Sequence, residues 1–549
     1  MEIKDTLLKL SDSELCVTGR VHLSPFVERF DKITENEITR EWLKRGINLF
    51  DEEGKHAGAS NLEKLHAAMK ASGRTDSTRK VRSLDDFASK EVESLIKLKK
   101  VEEWQSWRSR NSWYTDENPV HVCPLFTVDG SKKKRLIFDM RPANGDLQKP
   151  DLEYEPLSNV EKLANNHEWF AAIDLKDAYH HFKVDEAICP MLAFEAWGQT
   201  FVWKVLPFGA RAAPAAFTRM LSPVVATLRA AGVNLTVYLD DILLGLKTKE
   251  QGIALPSIYK FIWDLGLVIN VHKTDWEPVK TVDIRGLRLI NHLDSNWWSL
   301  DDQKLGKMAD LAEKARLSDF ELEKALGFMN FISLASWYAG GAVAALISSR
   351  RDRRNVARRT RLFPRHDHTP FVKQVSKSIQ DGVIRRIFSW KNVVVLASDA
   401  SSKGLGGIIL EGIGKGKRWS MEAHDDDIIA LRELKAIKES ILRLGIWNVN
   451  LLILCDNKAI EGAIKKGFSP AVSLRRELEN LFSLVTTRGI GIRIEWIPTE
   501  ENQAADELSR LGRASEEGIC KSQAFAEGLL ARKEVSFNNS CSIDLNKLK

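Results

Sequence analysis

Apolar residues recur at helical spacing from Phe87 to Trp107, with Val92, Leu95, Ile96, Leu98, Val101 and Trp104 on one stripe. From Val120 to Asp139 the pattern turns to strands, broken by a turn at Asp129-Gly130-Ser131. Strand, helix and strand then alternate to about Ile290. Residues 300–348 read as helix and end in Ala339-Gly340-Gly341-Ala342, small residues that suit close helix packing. An arginine-rich segment follows, and Pro364 and Pro370 mark a linker. A new strand opens at Val393, and an independent α/β unit runs to about Leu511. Residues 1–90 are mixed and mostly polar, with a helical patch at Ile38-Thr39-Arg40-Glu41-Trp42-Leu43 and a linker-like stretch from Gly54 to Thr78. Residues 513–549 are polar and read as a flexible tail, and no repeats are visible.

Within this pattern, apolar segments deliver carboxylates at their ends. Leu235 to Val237 and Ile242 to Leu244 flank Tyr238-Leu239-Asp240-Asp241, the pattern of a β-hairpin with two carboxylates at its turn. Phe170-Ala171-Ala172-Ile173-Asp174-Leu175 reads as a buried strand that also ends in a carboxylate. Adjacent carboxylates repel, and bound cations balance them, so Asp174 with Asp240 and Asp241 suits two-metal phosphoryl transfer. An isolated Asp-Asp pair is most often a solvated turn; the apolar flanks and the second strand reverse that reading.

Further along, Val393-Val394-Val395-Leu396-Ala397-Ser398-Asp399 repeats the design, followed by a hairpin from Ser401 to Leu410 with Gly404, Gly406 and Gly407. Ile428 to Ile437 forms an amphipathic helix presenting Glu433, and Leu451-Leu452-Ile453-Leu454-Cys455-Asp456 is another buried strand ending in aspartate. Glu495-Trp496-Ile497-Pro498 leads through Asn502 to Asp506. Gly412, Gly414 and Gly416 have neither Rossmann nor Walker spacing and read as a hairpin turn.

Composition adds bounds. A chain of 549 residues with 44% apolar and 28% charged residues holds several domains with full cores. The net charge of +6 is small, so placement matters more. Arg350, Arg351, Arg353, Arg354, Arg358, Arg359 and Arg361 form one basic run, and Lys132, Lys133, Lys134 and Arg135 another. Such runs suit phosphate backbones, although a solvated face or a localisation signal is the alternative. Six scattered cysteines without metal-ligand spacing argue for a reducing compartment and against structural zinc. No apolar stretch approaches the roughly 20 residues needed to span a bilayer, and Met1 to Leu10 lacks a signal-peptide core. The expectation is an intracellular protein, in cytoplasm, nucleus or both, with no membrane partner.

In order along the chain these motifs resemble a retroelement reverse transcriptase with an attached RNase H, closest to DIRS-type and gypsy-type retrotransposons, over roughly residues 85–512. The resemblance implies an α/β multidomain fold: a right-hand polymerase of fingers, palm and thumb, then an RNase H-like α/β domain. The implied boundaries are an N-terminal polar region without assigned role (1–85), fingers and palm (86–298), a thumb-like helical region (299–349), a basic connection (350–390), RNase H (391–512) and the tail (513–549).

In Lys134-Arg135-Leu136-Ile137-Phe138-Asp139, which resembles the fingers strand, Lys134 and Arg135 would meet the triphosphate, with Arg135 leading and Arg141 structural. A basic surface hairpin is the alternative there. Ile173-Asp174-Leu175-Lys176-Asp177-Ala178-Tyr179 resembles the first metal motif, with Asp174 on both ions, Leu175 and Tyr179 at the nucleotide and the Tyr179 ring excluding a 2′-hydroxyl; Asp177 is structural. Leu206-Pro207-Phe208-Gly209 would pack beneath the new base pair. Asp240 is the stronger second ligand, and Asp241 acts more through its field. Lys273 takes the place of a general acid near the leaving pyrophosphate, or else is a surface lysine. Ile284-Arg285-Gly286-Leu287 resembles the primer-gripping hairpin.

Asp399, Glu433, Asp456 and Asp506 match the four-carboxylate RNase H set, which holds two ions and lets water attack an RNA phosphate. Pro498-Thr499-Glu500-Glu501-Asn502 stands where many cellular RNases H carry a histidine, which leaves turnover and not the metal site in question. The implied cofactors are two Mg²⁺ ions (or Mn²⁺) per active site. The implied partners are RNA template, DNA primer, RNA–DNA hybrid, dNTPs and other retroelement-encoded proteins. The rival expectation is a domesticated or inactive relic that binds nucleic acid as a scaffold.

Overall fold

The structure, a computed structural model, describes residues 2–10, 17–49, 84–129, 134–144, 152–292, 295–313, 319–332, 385–423, 427–534 and 543–548. The arginine run at 350–361, Lys132 and Lys133, the stretch 54–78 and the small residues at 339–342 lie outside these. The chain is an α/β multidomain protein made of two compact units. Residues 1–160, 171–278 and 541–549 form the first, and residues 161–170 and 279–540 the second.

In the first unit the single helix expected over Phe87–Trp107 is divided. A helix Asp86–Lys97, capped by the Asp85 side chain on the Ala88 N–H, stops before Lys99, whose φ is +54°. Strand β1 (Val101–Glu103) follows, and a second helix spans Trp104–Arg110. Pairing of Val101 with Trp203 wins over helical periodicity here, because tertiary contacts override local propensity.

Strands β2 (Leu125–Asp129) and β3 (Lys134–Phe138) make an antiparallel ribbon. Strand β4 (Trp169–Asp174) comes next, and β5 (Ala193–Ala196) and β6 (Gln199–Trp203) join β1 in a sheet of order β1-β6-β5. Strands β7 (Asn234–Tyr238) and β8 (Asp241–Leu246) complete a sheet of order β4-β8-β7. Strand β8 is central, and Ile242 to Leu246 are all buried, as a strand covered on both faces requires. The helix Ala213–Ala230 buries Phe217, Met220, Leu221, Val224 and Leu228 along one stripe.

Residues 17–49 are not a detached polar region. Ile47 bridges Val184 in parallel, and the Gly19 N–H donates to the His180 carbonyl at 2.8 Å. The Arg20 guanidinium sits 4.7 Å from the Phe26 ring and 4.1 Å from the Trp263 ring. This segment is built into the first unit, a correction to the boundary drawn at residue 85.

The second unit holds two sheets. Strands β9 (Thr281–Ile284), β10 (Leu287–His292), β11 (Ser295–Ser299) and β12 (Arg385–Arg386) are antiparallel in the order β12-β11-β10-β9. Arg285 and Gly286, both at positive φ, turn the β9–β10 hairpin. Helices Asp302–Glu313 and Asp319–Ile332 are the described part of the thumb-like stretch.

The larger sheet contains β13 (Val393–Ala400), β14 (Gly404–Glu411), β15 (Arg418–Glu422), β16 (Asn450–Cys455) and β17 (Gly491–Trp496), in the order β15-β14-β13-β16-β17. Strands β13, β16 and β17 are parallel, and β14 and β15 run antiparallel. Alternate residues of β13 feed two cores. Val394 and Leu396 meet the helices Ile429–Arg443 and Val472–Thr487, while Val393, Val395 and Ala397 meet the opposite layer.

That opposite layer corrects the expectation of a flexible tail. Residues Glu516–Glu534 form a helix whose Ala526 is fully buried, with Ile519, Phe525, Leu529 and Leu530 packed on the same core. The stripe was obscured by Ser522, a polar residue at a fully buried position. Its hydroxyl donates to the Glu501 carbonyl at 2.9 Å and accepts from the Ala504 N–H.

Candidate active sites

The first site lies on the β4-β8-β7 sheet. Asp174 ends β4, and the two-residue turn Leu239-Asp240 joins β7 to β8, with Tyr238 paired to Asp241 across it. Leu239 takes a φ of +56°, an uncommon conformation for a branched side chain, so the turn holds Asp240 at a cost in strain. Burial pushes the Asp240 carboxyl above its ordinary range, and the neighbouring Asp174 charge adds to this while Lys273 opposes it.

Asp174 is held from the other side by the segment after Gly266. Leu175 bridges Ile269, and the Asn270 side-chain amide donates to Asp174 Oδ1 at 2.8 Å. Lys273 Nζ donates to Oδ2 at 3.2 Å. Asn270 is a partner of Asp174 to which sequence reading gave no role; its only signal was its place three residues before Lys273. Asp177, expected to be structural, pairs with the buried Lys100 at 2.8 Å.

Around these carboxylates the expected nucleotide residues divide. The Tyr179 ring is buried and stacked on Phe208 at 4.8 Å, and Phe208 is half-exposed. Gly209 has a φ of +96°, and a Cβ there would lie 2.9 Å from the Phe138 carbonyl, so glycine lets β3 approach the loop. Arg135 is exposed on β3. Lys134 instead donates to Asp85 Oδ2 at 2.6 Å, which holds that carboxyl near 2 and ties the lysine to the cap of the Asp86–Lys97 helix. Leu175 is a core side chain, 2% exposed. Arg141 pairs with Asp139, which accepts its Nε–H at 2.8 Å.

The second site lies at the carboxyl ends of β13 and β16. Asp399 lies on β13, Asp456 follows β16, Glu433 projects from the helix Ile429–Arg443, and Asp506 from the helix Gln503–Ser509. Gly406 of β14 allows that last helix to lie against the sheet, since a Cβ there would come 2.6 Å from the Leu508 Cβ. Burial raises Glu433 from 4.5 to about 9, with the Asp399 and Asp456 charges adding to it. Burial likewise raises Asp399 from 3.8 to about 7, with Asp456 and Asp506 adding to it. Glu433 Oε2 is buried without a hydrogen-bond partner. Four carboxylates that repel one another and leave a buried oxygen unsatisfied are a donor set suited to hard divalent cations.

Neighbours orient this set. Thr499 Oγ1 donates to Asp456 Oδ2 at 2.9 Å, from the turn Thr499–Glu501 that follows Pro498. Arg510 donates twice to Asp506 Oδ1, at 3.0 and 2.8 Å. Trp496 Nε1 donates to the Asp456 carbonyl at 2.8 Å, and Lys458 stands 4.3 Å above its ring. Cys455 Sγ also lies in this cluster, within 4.8 Å of an oxygen of Glu433 and one of Asp456. Sequence spacing gave no hint of it, because its partners come from another helix and from the adjacent residue.

Residues 122–289 match the sequence profile of a family described as reverse transcriptase (RNA-dependent DNA polymerase). Over 448 residues the chain is 20% identical to polyprotein P3 of Commelina yellow mottle virus, covering 78% of this chain and 22% of the relative. It is 21% identical to the transposon Tf2-3 polyprotein of Schizosaccharomyces pombe, over 72% of this chain and 29% of that polyprotein. The chain thus spans between about a fifth and a third of the length of such relatives. Among solved structures, a foamy viral protease-reverse transcriptase in complex with double-stranded DNA aligns over 86% of this chain and 81% of its own, at 15% identity and a TM-score of 0.49. The first site thus falls wholly within the stretch that is similar to reverse transcriptases, and the wider chain is similar to retroelement and viral polyproteins.

Proposed function

We propose that the chain is an RNA- and DNA-dependent DNA polymerase using dNTPs, joined to a ribonuclease H that degrades RNA in RNA–DNA hybrids, in the service of retrotransposon replication. Kinship with DIRS-type or gypsy-type elements belongs to the same proposal, as does location in cytoplasm, nucleus or both. The observation that carries it is the presence of two carboxylate clusters on two separate sheets, one within the reverse transcriptase match and one on a sheet of order β15-β14-β13-β16-β17.

Asp174, Asp240 and Asp241 would hold Mg²⁺ in the first site, and Asp399, Glu433, Asp456 and Asp506 in the second. When bound, the ions lower the pKa of an attacking hydroxyl or water and neutralise charge on the phosphate oxygens. The chain supplies the rest. Asn270 and Lys273 fix the Asp174 carboxylate, and Lys273, two-thirds exposed, would give its proton to a leaving pyrophosphate. Arg135 offers a planar fork for the triphosphate. Phe208 forms the floor under the new base, and the Tyr179 ring behind it closes the space a 2′-hydroxyl would occupy. In the second site Thr499 and Arg510 hold Asp456 and Asp506 in place, and the Trp496–Lys458 pair offers an aromatic and a charged contact beside them.

Primer extension on a labelled RNA template tests both halves, comparing dNTPs with rNTPs and wild type with Asp240→Asn and Asp456→Asn. Extension with dNTPs lost only in the first variant, and RNA cleavage lost only in the second, is the expected result. A folded wild-type chain that binds hybrid yet performs neither reaction would instead establish the relic scaffold.

A further inference from the structure

The end of β16 places a thiol inside a group of carboxylates. Cys455 Sγ, one oxygen of Glu433 and one of Asp456 all lie within 4.8 Å of one another. Two independent observations mark this trio as a site. Glu433 is 4% exposed, and its Oε2 is a buried acceptor without a donor, a situation that a cation relieves. The Asn457 N–H donates to Cys455 Sγ at 3.4 Å and the Asn457 carbonyl lies 4.0 Å from the same sulfur, which fixes the place of the sulfur beside the two carboxylates.

The chemistry of the trio differs from that of the four-carboxylate set, with which it shares Glu433 and Asp456. Mg²⁺ takes oxygen ligands and leaves sulfur aside, whereas a thiolate with carboxylates selects Zn²⁺ or softer ions. Around a tetrahedral zinc, bonds of about 2.3 Å to sulfur and 2.0–2.2 Å to oxygen place neighbouring ligand atoms roughly 3.5 Å apart. The trio therefore needs to contract by little more than about 1 Å, a change that side-chain rotation of Glu433 and Asp456 supplies. Among the described residues, no comparable trio forms around Asp240.

We propose that Glu433, Cys455 and Asp456 form a binding site for one thiophilic divalent cation, Zn²⁺ or Cd²⁺, which withdraws both carboxylates from the second active site. On binding, the Cys455 S–H proton and the Glu433 carboxyl proton both pass to solvent as metal–sulfur and metal–oxygen bonds form; no oxidant or reductant is involved. The site stands on the geometry alone, and the inhibition of hybrid cleavage rests on the ribonuclease reading. Because the sulfur is found at the second site, such a cation separates the two activities: cleavage stops while extension continues.

The test is a Cd²⁺ titration of the full chain in Mg²⁺ buffer, following thiolate-to-cadmium charge-transfer absorption. The band is expected to contain a component of one cation per chain that disappears in Cys455→Ser and in Cys455→Ala and survives replacement of the exposed Cys520 by serine. Retention of the whole band in both Cys455 variants overturns the proposal. Should those variants fail to fold, Glu433→Gln leaves the sulfur in place and is expected to weaken Cd²⁺ binding at least ~10-fold; unchanged affinity overturns the site. In parallel, the Zn²⁺ concentration that half-inhibits hybrid cleavage is expected to rise at least ~10-fold in Cys455→Ser. Equal inhibition of both proteins overturns the inhibitory role. A wild type that shows the band but never cleaves hybrid keeps the metal site and refutes the ribonuclease reading.

Discussion

Replacing Glu433 by glutamine should stabilise the metal-free second unit while abolishing its chemistry. Burial raises this carboxyl from 4.5 to about 9. Above pH 4.5 the unfolded chain gives up the proton and the folded chain keeps it, so the folded state binds more protons. Its stability is therefore full below about 4.5 and is lost steadily as pH rises toward 9. At pH 7 the window traversed is about 2.5 pH units, which corresponds to roughly 3 kcal/mol as an upper limit. Asp399, raised to about 7, adds a loss of the same sign over the lower part of that range.

Glutamine carries no charge, and its carbonyl can still accept from the Ala400 N–H that the carboxylate uses. At roughly 2–4 °C per kcal/mol for a domain of this size, Glu433→Gln should raise the melting temperature of the corresponding calorimetric transition by up to about 6–12 °C at pH 7 in chelator. The gain should vanish at pH 4.5 and grow toward pH 9. Added Mg²⁺ should raise the wild-type transition and leave that of the variant nearly unmoved. A variant no more stable than wild type at pH 8 in chelator would refute the argument that burial and carboxylate repulsion dominate this site.

Other perturbations test other parts of the structure. Gly209→Ala places a Cβ 2.9 Å from the Phe138 carbonyl at a positive φ; it should cost about 1–2 kcal/mol and raise KM for dNTPs in single-nucleotide extension. Tyr179→Ala removes the ring stacked on Phe208, and the ratio of kcat/KM for dNTP over rNTP should fall by roughly 10–100-fold. Arg20→Ala loses the contacts to Phe26 and Trp263; a loss of about 1–2 kcal/mol should appear in the first unit's thermal transition. Ala526→Asp puts an unpaired charge into the core under β13. It should destabilise the second unit by about 3 kcal/mol or more and abolish hybrid cleavage, with primer extension retained.

What the sequence made legible follows from locality. Strands β13 and β16 could be read because apolar residues on both faces, closed by an aspartate, are a local pattern. The β7–β8 hairpin was legible for the same reason. What escaped depends on partners far along the chain. The pairing of Lys134 with Asp85 escaped because the two lie 49 positions apart. Residues 17–49 looked polar because their buried side chains, Val17, Val21, Phe30, Trp42, Leu43 and Ile47, are spread among polar residues, and partners such as Phe182 lie far along the chain. Leu175 follows Asp174 directly, and the alternation of β4 carried one residue further turns its side chain into the core. The Glu516–Glu534 helix hid its buried face behind a serine.

The short turn Leu545–Leu548 is part of the first unit, although nearly all the chain before it, back to residue 279, belongs to the second. There the Asp544 N–H donates to the Ala231 carbonyl at 2.7 Å, and Lys547 Nζ donates to the Ala230 carbonyl at 3.0 Å. The two units are thus interleaved along the gene, and one recombination crossover between related elements cannot exchange either of them whole. The grip itself reads main-chain oxygens at the end of a helix, groups that every residue type supplies. A hybrid chain assembled from two parents would keep these attachments, so shuffling between lineages meets a barrier of order along the chain and little barrier of sequence at this junction.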